Sequence, residues 1–204
     1  MKPGMAFILA ILLILCSDLP AQTATPIDLT DCHTIGLSGG AKTNSRTVVA
    51  TDLSGVSLET GFIGLLQYGY WFDPQWQLNV TLGIFGAKMD TDYLGTSINA
   101  TMPVLFGVSY APLALAMGKA GRPFVGIAPG VYVQTASSTS TVPPFATETS
   151  SETVLGVRFI VGADLFPARW LRITPSLSYH LMGEFSKVGS YSGAEFSVGL
   201  GVVF

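Results

Sequence analysis

The final stretch, Tyr191 to Phe204, reads YSGAEFSVGLGVVF, and it limits the fold more than any other part of the chain. Counting back from Phe204, every second residue is apolar or small: Val202, Leu200, Val198, Phe196 and Ala194. The intervening residues, Gly201, Gly199, Ser197, Glu195 and Gly193, are small or polar. A period of two is that of a β-strand with one greasy face and one wet face.

Seven earlier segments obey the same rule. His33–Lys42 sets Ile35, Leu37, Gly39 and Ala41 against Thr34, Gly36, Ser38 and Gly40. Val56–Phe72 carries Leu58, Phe62, Leu66, Tyr68, Tyr70 and Phe72 opposite Glu59, Gly61, Gln67 and Gly69. Trp76–Lys88, Ile98–Leu113, Arg122–Thr135, Glu152–Leu165 and Trp170–Phe185 continue the pattern. Between them lie turn and loop signals: Asp73-Pro74-Gln75, Asp90–Gly95, Gly118–Gly121, Phe166–Arg169, Ser186–Ser190, and the Ser/Thr-rich stretch Ala136–Ser151 with its Pro143-Pro144.

Two regularities decide between fold classes. The segments span roughly 10–17 residues, longer than the usual 5–6 of globular strands and enough for a tilted membrane crossing of about 9–11. The polar face is rich in glycine and carries charges of both signs, whereas a soluble sandwich packs large apolar residues inside and puts charge outside. The sequence therefore predicts an all-β fold, an eight-stranded antiparallel up-and-down transmembrane β-barrel with a narrow, filled lumen. Only 11 % of residues are charged, against a usual value of roughly 25 %, which fits a surface that meets lipid. The formal net charge of -3, without a Lys/Arg cluster, gives no hint of nucleic-acid binding.

Lys2 followed by the apolar run Met5–Leu15 and then Ser17–Gln22 has the layout of a secretory signal peptide, with cleavage expected after Ala21. The run is too short to span a bilayer, which takes about 20 apolar residues. Lipidation of Cys16 is disfavoured because Leu15 stands where a lipoprotein signal needs a small residue. The expected organisation is a signal peptide over residues 1–21, a short periplasmic segment over 22–32 and a barrel over 33–204. The mature chain keeps one cysteine, Cys32, expected to be an inert thiol.

Aromatic residues concentrate at two proposed turns on the periplasmic side: Tyr68, Tyr70, Trp71, Phe72 and Trp76 at one, Phe166 and Trp170 at the other. Rings of this kind gather where headgroups meet hydrocarbon. Pro129 and Pro175 fall in mid-strand, where each costs a ladder hydrogen bond, and a bulge is the expected accommodation.

Arg122-Pro-Phe-Val-Gly-Ile-Ala-Pro-Gly-Val-Tyr132, Gly156–Leu165 leading into Trp170–His180, and Ser192–Phe204 together resemble the outer-membrane β-barrel domain family, which includes OmpA-type and attachment–invasion-type barrels. The resemblance covers the C-terminal half; the N-terminal half agrees in pattern alone. It implies a bacterial outer-membrane location and contact with outer-membrane lipid and lipopolysaccharide. It also implies an assembly signal in Phe196, Val198, Leu200, Val202 and Phe204, read by the barrel-assembly machinery, with periplasmic chaperones as further partners. A monomer without cofactor is expected.

Ser178, His180 and Glu184 share one face of the seventh segment, and a Ser, a His and a carboxylate suit acyl transfer. Residues two apart on a strand are roughly 6.6 Å apart along it, however, and this face looks into the lumen, away from any lipid acyl chain. The competing reading is a lumen network of Glu59, Glu152, Arg158, Asp164, Arg172, His180, Glu184 and Glu195, since charges in a narrow interior must find partners. No metal, phosphate-loop or nucleotide motif is present. The functional expectation is a structural or interactive role in envelope integrity, surface adhesion or limited solute passage. The alternatives are a lipid A-modifying acyl hydrolase or transferase, and a soluble secreted β-sandwich.

Overall fold

The computed structural model describes residues 27–50, 53–92, 95–118, 121–140, 147–185 and 192–204. The expected signal peptide and Cys16 lie outside them, as do residues 22–26 of the expected periplasmic segment. Eight antiparallel strands close on themselves: β1 (His33–Ala50), β2 (Leu53–Asp73), β3 (Trp76–Asp92), β4 (Gly95–Tyr110), β5 (Gly121–Ser140), β6 (Thr147–Ala168), β7 (Leu171–Met182) and β8 (Gly193–Val203). Each strand pairs with its chain neighbours, and β8 returns to β1 from Thr34↔Val203 to Lys42↔Glu195. Closure removes every sheet edge along this common stretch. The seam is close: a Cβ on Gly40 would lie 2.0 Å from the Phe196 carbonyl oxygen, so glycine is required there.

The alternation sorts side chains as the period predicts. Leu37 is 67 % exposed, Phe62 70 %, Phe106 61 %, Leu155 75 % and Leu200 59 %, on a barrel whose outward face is apolar all the way round. A soluble monomer rarely shows contiguous apolar patches beyond a few hundred Å², so this band needs a hydrocarbon surround. None of the described helices is long and apolar enough to cross a membrane.

The strands outrun the polar links read from the sequence. Much of the Ser/Thr stretch is ladder, from Ala136↔Ser150 to Thr139↔Thr147, and the Asp90–Gly95 link closes as Asp92↔Gly95. Threonine is a good strand former, and a solvated ladder above the membrane needs no apolar face. β7 and β8, at 12 and 11 residues, stay near the length of one crossing, while β5 and β6 reach 20 and 22. The wall is therefore much taller over β5 and β6 than over β7 and β8.

The prolines are accommodated without bulges. Along β4–β5 the pairs Leu105↔Gly130 and Val108↔Ile127 keep one register, and only Phe106 with Pro129 and Gly107 with Ala128 go unpaired. Pro175 repeats the arrangement along β6–β7, between Gly162↔Ser176 and Leu165↔Ile173. Each imide nitrogen costs a local gap on one side, while the other neighbour stays paired, Pro129↔Val157 and Pro175↔Val198. Register shifts occur elsewhere, between Trp71 and Asp73, Phe85 and Lys88, and Leu165 and Ala168.

The end bearing the C-terminus is stoppered. Ile27–Cys32 folds across it, turned by Asp31 at φ 60 and tied by Asp31 N–H to the Trp71 carbonyl at 2.7 Å. Leu29 thereby enters a cluster with Trp71, Ala111, Phe166 and Val203. Two rings expected at the headgroups are thus inside: Trp71 is 1 % exposed and Phe166 7 %, while Phe72 and Trp170 face outward at 45 % and 59 %. Parity along the strand separates them, since Trp71 lies between the outward Tyr70 and Phe72. Cys32 is half-buried, and burial first, then the charges of Asp28 and Asp31, push its thiol pKa up, away from reactivity.

Candidate functional site: the charged wall of the lumen

The inward face differs from strand to strand. β2–β5 contribute Ile63, Leu65, Phe85, Leu105, Ala128 and Tyr132, which pack with Met182 and Phe185 into one buried apolar cluster. Facing it are the charges of β1 and β6–β8: Lys42, Arg158, Asp164, Arg172, His180 and Glu195, all buried. Among the described buried charges only Arg122, on β5, falls outside this wall, and its guanidinium lies 4.8 Å over the Trp71 ring and donates to the Pro74 carbonyl.

Glu195 is the hub. Its Oε1 accepts from Arg158 Nη2 at 2.7 Å and from the Ser197 hydroxyl at 2.6 Å, and its Oε2 lies 2.6 Å from His180 Nε2. A carboxylate only accepts, so His180 Nε2–H is the donor, and in the neutral ring Nδ1 accepts from the Tyr132 hydroxyl at 2.9 Å. One chain of hydrogen bonds thus crosses the lumen from β8 through β7 to β5. Apolar packing surrounds it: the Phe85 centroid is 5.5 Å from His180, and Lys42 Nζ sits 4.5 Å from the same Phe85 ring. Charge-assisted bonds are stronger in such a low dielectric, and severing one strands its partner at a high cost. A second pairing lies nearer the stoppered end, where Asp164 accepts from the Thr174 hydroxyl at 2.7 Å and faces Arg172 at 3.6 Å.

These positions decide the fate of each sequence candidate. Arg158, His180 and Glu195 meet in one cluster, and Asp164 meets Arg172 in another. Glu152 is half-buried on β6 and has a partner of its own. The side chain of Glu59 lies outside the described residues. Glu184 is exposed beyond the end of β7 and joins neither the lumen network nor a triad. The pairing that carries alternation inward stops at Met182, so parity no longer directs Glu184. Ser178 is buried but its hydroxyl has no hydrogen-bond partner among the described residues, and both nitrogens of His180 are taken by Tyr132 and Glu195. No imidazole nitrogen is left to accept a proton from Ser178, so the Ser178–His180–Glu184 arrangement is not assembled.

Sequence reading missed Lys42 and Tyr132 as members of the cluster. Lys42 had a signal, as a cation at an inward parity position; Tyr132 also stands at an inward parity position, but nothing local marks its bond to His180.

No family model matches the sequence, and no curated protein matches it. Solved structures do. Neisserial surface protein A is 15 % identical with a TM-score of 0.61, covering 85 % of this chain and 97 % of its own. The attachment invasion locus protein of Yersinia pestis is 14 % identical at 0.55, covering 86 % and 99 %, and the outer membrane protein OprG of Pseudomonas aeruginosa is 13 % identical at 0.52, covering 87 % and 99 %. At such identities the likeness concerns the backbone path, and it agrees with the closed register and the apolar exterior. The chain has the fold of the small eight-stranded outer-membrane β-barrels.

Proposed function

We propose that the protein is an integral outer-membrane barrel with a structural or interactive role in the envelope, and that it conducts neither ions nor solutes. The observation that carries this reading is the lumen cross-section at Glu195. There Arg158, His180 and Glu195 are fully buried and hydrogen-bonded to one another, and they pack against Phe85 and Tyr132. A conducting path would have to break these bonds and leave charges uncompensated. The stopper of Leu29, Trp71 and Phe166 closes the lumen a second time. Interaction with other molecules falls to the tall β5–β6 side of the wall and to the outward band.

In this proposal the C-terminal end faces the periplasm and the tall strands face outward. Outer-membrane lipid covers the band, with lipopolysaccharide against its outer half. Phe196, Val198, Leu200, Val202 and Phe204 all point outward, at 43–66 % exposure, where the barrel-assembly machinery can read them as the chain is delivered by periplasmic chaperones. A planar bilayer containing the purified barrel is the test. The expected result is no steady conductance above background; discrete, voltage-stable openings would refute the closed-lumen reading.

A further inference from the structure

Between the two ionic clusters the lumen holds a cavity of about 30 Å³, lined among others by Gln77, Asn79, Ser109, Arg158, Arg172 and Ser176. That is room for about two water-sized spheres. The polar groups around it are unevenly served. Arg158 Nε and Nη1 and Arg172 Nε have no hydrogen-bond partner among the described residues, although Arg158 is fully buried and Arg172 6 % exposed. Their carboxylates engage other nitrogens: Glu195 takes Arg158 through Nη2, and Asp164, which also lines the cavity, faces Arg172 through Nη1. Among the described residues, two guanidinium groups, Arg158 and Arg172, line this cavity against one carboxylate, Asp164.

An orphaned, desolvated guanidinium N–H costs far more than an unpaired neutral donor, and two of them line one small cavity. Water can accept from these groups but leaves the charge imbalance standing. A compact anion answers both needs, and the hydroxyl of Ser109, which lines the same cavity and accepts from Asn79 Nδ2 at 3.0 Å, is a further donor. We propose that the cavity is a binding site for one small monovalent inorganic anion, chloride being the probe, held by Arg158 and Arg172. Asn79 Oδ1 also lacks a partner and calls for a donor, which a water beside the anion supplies. The volume excludes anything much larger: a nucleotide, a sugar phosphate or a carboxylate with a carbon chain does not fit. The anion completes the fold from within, as a bound counter-ion at the level where the charged wall would otherwise carry excess positive charge.

Crystals of the wild-type barrel soaked in bromide provide the direct test. An anomalous peak is expected in the lumen between Arg158 and Arg172; peaks confined to the exterior would overturn the proposal. In detergent, the thermal midpoint of the barrel's unfolding is measured in chloride and in gluconate at one ionic strength. It should rise saturably with chloride, by on the order of 3 °C at tenfold excess over the dissociation constant. Equal midpoints in the two salts would overturn it. Arg172→Gln should lose the chloride dependence, and an undiminished dependence in that variant would move the ion elsewhere and refute this site. Should that variant not fold, Ser109→Ala, which removes one donor, should at least halve the chloride affinity, and an unchanged affinity together with an empty cavity in the bromide map would refute it.

Discussion

The two walls of the lumen solve the same problem in opposite ways. β2–β5 fill their side with Ile63, Leu65, Phe85 and Leu105, which need no partners and gain from close packing. β1 and β6–β8 fill theirs with charges that are tolerable only because Glu195 gathers Arg158, His180 and Ser197, and Asp164 gathers Thr174 and faces Arg172. The walls depend on each other. The apolar side keeps water out and so strengthens the ionic side, while the ionic side ties β6, β7 and β8 together beside the seam that closes the barrel. Apolar packing is forgiving of small changes, whereas a paired charge is not, and the contrast can be broken from either side.

The largest effect is expected from Arg158→Ala, which leaves Glu195 buried beside only neutral donors and the more distant Lys42. It should cost about 3–5 kcal/mol in the urea unfolding of the detergent-folded barrel. Replacing Arg158 with Met and Glu195 with Leu together should recover much of that loss, because a well-packed apolar pair carries no stranded charge. On the opposite wall, Leu105→Ala opens a cavity and should cost about 2–4 kcal/mol, with no recovery from any partner change on β6–β8. Tyr132→Phe removes the hydrogen bond that ties the ionic cluster to the apolar wall through His180, at 2.9 Å from the Tyr132 hydroxyl, and should cost about 1 kcal/mol in the same assay. The smallest change is expected from Glu184→Gln, within about 0.5 kcal/mol, since that carboxylate is exposed beyond β7. A larger loss there would place Glu184 in the network after all.

The period of two was enough to give the eight strands and the inward side of Arg158, His180 and Glu195. That information is local, because each side chain's face follows from parity alone. What parity does not carry is where the ladder stops, and this is why Glu184 looked inward and the Ser/Thr stretch from Ala136 to Ser151 looked like a loop. Both depend on which neighbour is still paired at that height. The composition of the lumen was half legible. Charges stand out in a strand of small residues, but Ile63, Leu65 and Trp71 sit beside outward apolar residues on β2, where a run that is greasy on both faces hides its inner half. The Tyr132–His180 bond joins residues 48 apart in sequence and emerges only once the barrel is closed.

Both the filled lumen and its pairing of walls presuppose a closed barrel standing in a membrane, and electrophoresis of the vesicle-reconstituted protein with and without boiling tests that most directly. Unboiled protein should run faster than boiled, as a compact, detergent-resistant barrel, and should stay with the lipid after a high-salt wash. A single band at one position under both conditions, from protein recovered in the aqueous wash, would contradict it.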